Sequence, residues 1–215
     1  IYIQNADAGA IISIVAGLFG GPLLGNTAER RGGAIYNQSD EGLINTDLTD
    51  FLSGGIVGCD FTGNTANGPS GADGLGGAIY NQGNLHVLNS TFDGNTSTNS
   101  SGGAIGDNQM VSRSLVISNS TFNGNDAADN GGALAMLNGN GNVEVYNSTL
   151  SGNTAGVGRE IYAAAGADVD LFNTLIANTS AGANCSATGA FVDNGGNLLY
   201  DPGTTASCGL AAGGD

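Results

Sequence analysis

The chain has 215 residues, 40% of them hydrophobic, which is enough apolar material for the core of one domain. Its only basic side chains are Arg30, Arg31, Arg113 and Arg159. With a formal net charge of −15 there is no basic patch to displace counterions, so nucleic acid is excluded as a partner. The 39 glycines against three prolines, with no long apolar stripe at helical spacing, point to many tight turns rather than to helices.

The N-terminal stretch opens on Ile1–Tyr2, the dipeptide that recurs after Gly-Gly-Ala at 35–36 and 79–80. Residues 9–25, GAIISIVAGLFGGPLLG, are almost entirely apolar but short for a bilayer and broken by glycines and a proline. A buried or interface strand is expected there, not a membrane span. The end of this stretch, LLGN at 23–26, begins a pattern that continues as GGAIYNQ at 32–38.

The same seven letters return at 76–82, followed by GGAIGDN at 102–108, GGALAML at 131–137 and GREIYAA at 158–164. A second motif alternates with the first: FTGN at 61–64, FDGN at 92–95, FNGN at 122–125, LSGN at 150–153 and LIAN at 175–178. A period near 30 residues marks a solenoid, propeller or array. Between the motifs, NLHVLNST at 84–91 and NVEVYNST at 142–149 alternate apolar and polar residues, the mark of half-buried strands. Coils of about 25–30 residues built from short strands, stacked about 4.8 Å apart, make a right-handed parallel β-helix; about six coils are expected.

The motif residues then take positions. Ile35, Ile79, Ile105, Leu134 and Ile161 should stack as one inward column, and Phe61, Phe92, Phe122, Leu150 and Leu175 as another. Asn89, Asn119, Asn147 and Asn173 share the parity of the buried valines and read as an inward asparagine ladder. Asn64, Asn95, Asn125, Asn153 and Asn178 suggest a second one. The sequons at 89–91, 119–121 and 147–149 would then be hidden, leaving Asn99 and Asn178 freer. Residues 1–60 carry early coils with long apolar and acidic loops, 61–178 the regular coils, and 179–215 a Cys-containing end of the same single domain. A Cys185–Cys208 disulfide closing that end would add roughly 3 kcal/mol, leaving Cys59 free and buried.

Chemistry is sparse. Asp40, Glu41, Asp47 and Asp50 share one long connection, and glycoside hydrolysis needs two carboxylates across a groove. NTD at 45–47 is similar to a short pectinase motif whose companion elements are missing. Arg113 and Arg159 have nothing around them to suggest a lyase base, and His86 occupies an outward strand position. No catalytic residue is assigned, and no Cys or His spacing suits a metal. The acidity reads chiefly as solubility; a calcium ion held near DLTD at 47–50 or GADG at 71–74 is the functional alternative, although neither matches a known calcium loop.

The alternation carried by Gly32–Ile35, Gly76–Ile79 and Gly102–Ile105 with Phe61–Asn64, Phe92–Asn95 and Phe122–Asn125 resembles the repeat of chlamydial polymorphic outer-membrane proteins and related bacterial β-helix surface proteins. Residues 185–208 are similar to the Cys-containing end of some of the latter. The resemblance implies an extracellular, adhesin-like module of the bacterial cell surface.

The reading is therefore an extracellular, non-catalytic structural or adhesive β-helix without a cofactor. Its partners would be further copies of itself and cell-surface glycans or proteins. From Ile1 to Leu23 is 22 residues and from Ile35 to Phe61 is 26, against 13 to 17 in later coils. Early coils with extra loop, and strand edges left open at both ends, lead to an expectation of end-to-end assembly into a filament. The alternative is a polysaccharide hydrolase or lyase.

Overall fold

A computed structural model describes residues 2–4, 13–15, 23–38, 55–69, 74–109, 113–139, 141–180, 182–201 and 207–210; at 2–4, 13–15, 113 and 187 the backbone alone is described. Every described strand pairs in parallel with its counterpart in the next coil, about 30 residues away in the middle coils, 34 to 44 in the early ones and 22 to 24 at the C-terminal end. The first sheet comprises Tyr2–Gln4, Ile35–Gln38, Ile79–Asn81, Ile105–Asp107, Leu134–Met136, Ile161–Ala163 and Cys185–Ala187. The second comprises Ser13–Val15, Gly55–Val57, Leu85–Leu88, Arg113–Ser118, Gly141–Tyr146, Asp168–Phe172 and Ala190–Asp193. The third comprises Leu23–Leu24, Asp60–Thr62, Thr91–Asp93, Thr121–Asn123, Thr149–Ser151, Leu175–Ala177 and Leu198–Tyr200. A shorter fourth sheet comprises Thr27–Ala28, Thr65–Ala66, Thr96–Ser97, Asp126–Asn130 and Thr154–Val157.

The chain visits the first three sheets in order, once per coil, and adds a fourth-sheet strand in the first five coils, so the molecule is an all-β parallel solenoid. Among the described residues three sheets carry seven strands each, slightly more than the expected six coils. The Cys-containing end is part of the stack, since Cys185–Ala187, Ala190–Asp193 and Leu198–Tyr200 extend the first three sheets. Within the apolar stretch 9–25, Ser13–Val15 and Leu23–Leu24 are strands. Among the described residues no helix is long and apolar enough to cross a membrane.

The core is a set of columns, each filled by one register position. Ile35, Ile79, Ile105, Leu134 and Ile161 are fully buried in register, and Cys185 ends their column. Phe61, Phe92 and Phe122 stack face to face at 4.6 Å, with Leu150 after them. Such ring stacks add attraction beyond the area they bury. One expected member of this column is corrected. Leu175 pairs with Thr149 and points outward, 36% exposed, while Ile176 pairs with Leu150 and fills the column. The coil 175–178 lacks the glycine of the FxGN motif, so aligning its asparagine displaces its apolar residue by one.

The paired glycines of the GGAI motif do different work. The first bends the chain through a left-handed conformation, as at Gly76 (φ 68°). The second lets adjacent coils touch: a Cβ at Gly77 would lie 2.1 Å from the carbonyl oxygen of Gly103.

Candidate functional site

The corner between the second and third sheets overturns one ladder. Asn89, Asn119, Asn147 and Asn173 do not face inward; they are exposed, with φ between 48° and 52°. Asparagine tolerates this left-handed region better than other residues with a Cβ, and Gly58 and Gly196 occupy the same corner in their coils. Side-chain alternation fails at such a residue, so the next one turns inward. Cys59, Ser90, Ser120, Ser148 and Thr174 are the buried column. Ser90 and Ser120 each accept the backbone N–H of the preceding coil and donate two residues back, to Leu88 and Ser118 carbonyls. The three Asn-Ser-Thr sequons are thus by-products of a left-handed residue, an inward hydroxyl and a strand threonine. Their asparagines are open to solvent, as is Asn99, whereas Asn178 is buried.

Asn64, Asn95, Asn125 and Asn153 are fully buried. Each Nδ2 donates to the Oδ1 of the next coil, at 2.8, 2.9 and 2.8 Å, and each Oδ1 also accepts the backbone N–H of the asparagine one coil earlier. The next rung is a carboxylate. Glu160 stands where earlier coils have Ala34, Ala78, Ala104 and Ala133, and it accepts from Asn153 Nδ2, from the Asn153 backbone N–H and from Asn178 Nδ2. Burial pushes its carboxyl up to about 7 against those hydrogen bonds and the nearby Arg159.

The sequence reading missed a further ladder beneath the GGAIYNQ motif. Asn37 donates to Asn81 at 2.7 Å, and Asn81 donates to Asp107 at 2.7 Å. Gln109 Nε2 also donates to Asp107, which burial holds at about 7. Asp107 replaces the motif's asparagine in GGAIGDN, and that departure was its signal.

Cys185 and Cys208 form a disulfide with a Cα separation of 4.9 Å, and Cys59 is a buried free thiol. Burial raises the Cys59 thiol, so it is expected to stay unmodified by thiol reagents in the native protein. Replacing both bonded cysteines by serine is expected to cost about 3 kcal/mol in urea unfolding. Cys59→Ser should stay within about 1 kcal/mol of the parent, because serine already fills that position one coil later. A native peptide map with Cys59 in the bridge would refute the pairing.

The outward face of the second sheet carries a groove of about 520 Å³. It is walled by three in-register sets from consecutive coils: His86, Val116 and Glu144; Leu88, Ser118 and Tyr146; Asn89, Asn119 and Asn147. Burial lowers the His86 imidazole below its ordinary value, which keeps it neutral at neutral pH. Tyr146 Oη donates to Glu144 Oε2 at 2.9 Å, and its ring stacks on Phe172 at 4.4 Å. Burial and the Glu144 carboxylate push this phenol up to about 12. His86, expected to be plain surface, is therefore part of the groove.

The other candidate residues do not meet it. The backbone of Arg113 pairs with Gly141 on the second sheet, whereas the Arg159 guanidinium packs over Gly182 at the other side of the coil. Ile1, Asp40, Glu41, the NTD and DLTD segments and residues 71–73 lie outside the described residues. Among the described residues no group of three acidic, histidine or cysteine side chains could hold a metal ion.

Residues 23–38 and 58–82 match the family model of the Chlamydia polymorphic membrane protein repeat. These are the stretches that hold the Gly-Gly-Ala-Ile-Tyr-Asn-Gln pair and the first Phe-Thr-Gly-Asn motif, and in the structure they lie on adjacent coils of the solenoid. No curated protein and no solved structure gives a significant match.

Proposed function

We propose that the protein is a non-catalytic adhesive module displayed on a bacterial cell surface. The repeat match to Chlamydia polymorphic membrane proteins supports surface display. The observation that carries adhesion is the groove: equivalent positions of consecutive coils line one lateral face, which suits an extended partner running along the solenoid. Beads coated with the protein are expected to bind cell surfaces saturably and to be displaced by free protein. Coated beads that adhere no better than albumin-coated ones would remove this reading.

A hydrolase is the second reading, because Glu144 and Asp170 are paired neighbours on adjacent strands. Rungs of a sheet lie about 4.8 Å apart, close to the carboxylate separation of retaining glycosidases. Reducing-sugar release from a glycan panel, lost in Glu144→Gln, would favour it. Self-association is a further part of the proposal. Leu175, Leu198 and Tyr200 form an exposed apolar set on the third sheet, and light scattering across a concentration series tests it.

A further inference from the structure

The groove has a specific cause. One outward column of the second sheet runs Val57, Leu88, Ser118, Tyr146, Phe172, in register. Each position except Ser118 projects a large side chain, and rungs are about 4.8 Å apart. Ser118 is too short to reach its neighbours' outer atoms. It leaves a slot one rung deep, with Leu88 on one side and Tyr146 on the other.

The Tyr146 ring is prepared on its far side. Phe172 stacks on the face toward the later coil, at 4.4 Å and 14° between planes, and the phenol donates a hydrogen bond to Glu144. The face toward the slot remains, held in a fixed orientation. We propose that this slot binds a pyranose ring of a neutral glycan, stacked on Tyr146 in the place of the missing rung.

The rim selects the class of guest. Asn89, Asn119 and Asn147 line it as exposed amides, and Glu144 adds a carboxylate. A pyranose turns a C–H face to an aromatic ring and presents hydroxyls around its edge, which these amides and the carboxylate can bond. An aromatic side chain in the slot would cover the same polar groups without bonding most of them, at a desolvation cost. An anionic sugar meets Glu144, no lysine or arginine among the lining residues, and a chain of net charge −15.

The inference rests on the adhesive reading, and its test separates the two. The probes are neutral hexasaccharides of glucose, mannose and N-acetylglucosamine, with hexagalacturonate as the anionic counterpart and N-acetyl-tryptophanamide as the aromatic one. Calorimetry is expected to show saturable binding of at least one neutral hexasaccharide, about tenfold or more tighter than hexagalacturonate. Ser118→Leu fills the slot from within the outward column, where Leu88 and Tyr146 already cover Ser118, and Tyr146→Ala removes the platform. Each should weaken binding by about tenfold or more, with the parent's circular dichroism retained. The inference fails if no neutral hexasaccharide binds at about 10 mM, if Ser118→Leu binds as the parent does, or if the tryptophan probe binds more tightly than every saccharide. Bead adhesion that persists alongside any of these failures leaves the adhesive reading standing; absent adhesion removes that reading.

Discussion

Asn125→Leu is expected to destabilise the protein by about 3 kcal/mol or more, whereas Asn119→Gly should leave it within about 0.5 kcal/mol of the parent. The two asparagines are six residues apart in sequence and lie on the same coil. Asn125 is fully buried, and its amide makes four bonds: to Asn153 Oδ1, to the Phe92 carbonyl, and from the side chain and backbone of Asn95. Leucine would strand the Asn95 backbone N–H and weaken the rungs on both sides. Each buried orphan costs about 1–3 kcal/mol. Asn119 instead is exposed at φ 50°, a conformation glycine adopts freely. Asn119→Leu should cost about 1–2 kcal/mol through backbone strain alone. Urea unfolding of the three variants measures this order. An Asn119→Leu loss larger than that of Asn125→Leu would refute both placements.

The contrast marks where the sequence was legible. Motif spacing exposed the coil, because a residue that stacks on its own copy must recur at the coil period. Ile79, Phe92 and Asn95 could all be placed from that alone. Parity could not be carried through a left-handed residue. Counting by twos from Val87 puts Asn89 inside, but the corner turns the chain there and Ser90 takes the interior. The missed clue was the exchange of asparagine with Gly58 and Gly196 at one repeat position, which is the pattern of a positive φ rather than of an amide ladder. Leu175 failed for a related reason, since a deleted glycine is invisible when motifs are aligned on their last letter.

The groove was hidden more deeply. Nothing about Ser118 distinguishes it from any strand serine until register places it between Leu88 and Tyr146. Asp107 and Glu160 stand between these cases. Each is visible as a departure from the motif, aspartate for asparagine and glutamate for alanine. Whether such a carboxyl sits in solvent or at the end of a buried ladder depends on the fold.

Those two carboxyls lead to the second large expected effect: the protein should be more stable in mild acid than at neutral pH. Asp107 is faced by Asn81 and Gln109 and rises from 3.8 to about 7; Glu160 is faced by Asn153, Asn178 and Arg159 and rises from 4.5 to about 7. An acid whose folded pKa lies above its unfolded one binds more protons folded than unfolded between the two values. Stability therefore falls as pH rises through that window. Below about pH 4 both forms hold the proton and there is no penalty; above about pH 7 the full penalty applies, on the order of 3–4 kcal/mol for each site. Urea unfolding from pH 4 to pH 8 should show this decline. Asp107→Asn restores the rung that Asn37 and Asn81 already use, and Glu160→Gln keeps the shape and the oxygen that accepts from the Asn153 backbone N–H and from Asn178. Each variant should flatten its share of the slope and exceed the parent's stability at pH 8. If the double variant keeps the parent's pH profile, these carboxyls do not carry a buried proton, and the ladders end on ionised rungs at every pH tested.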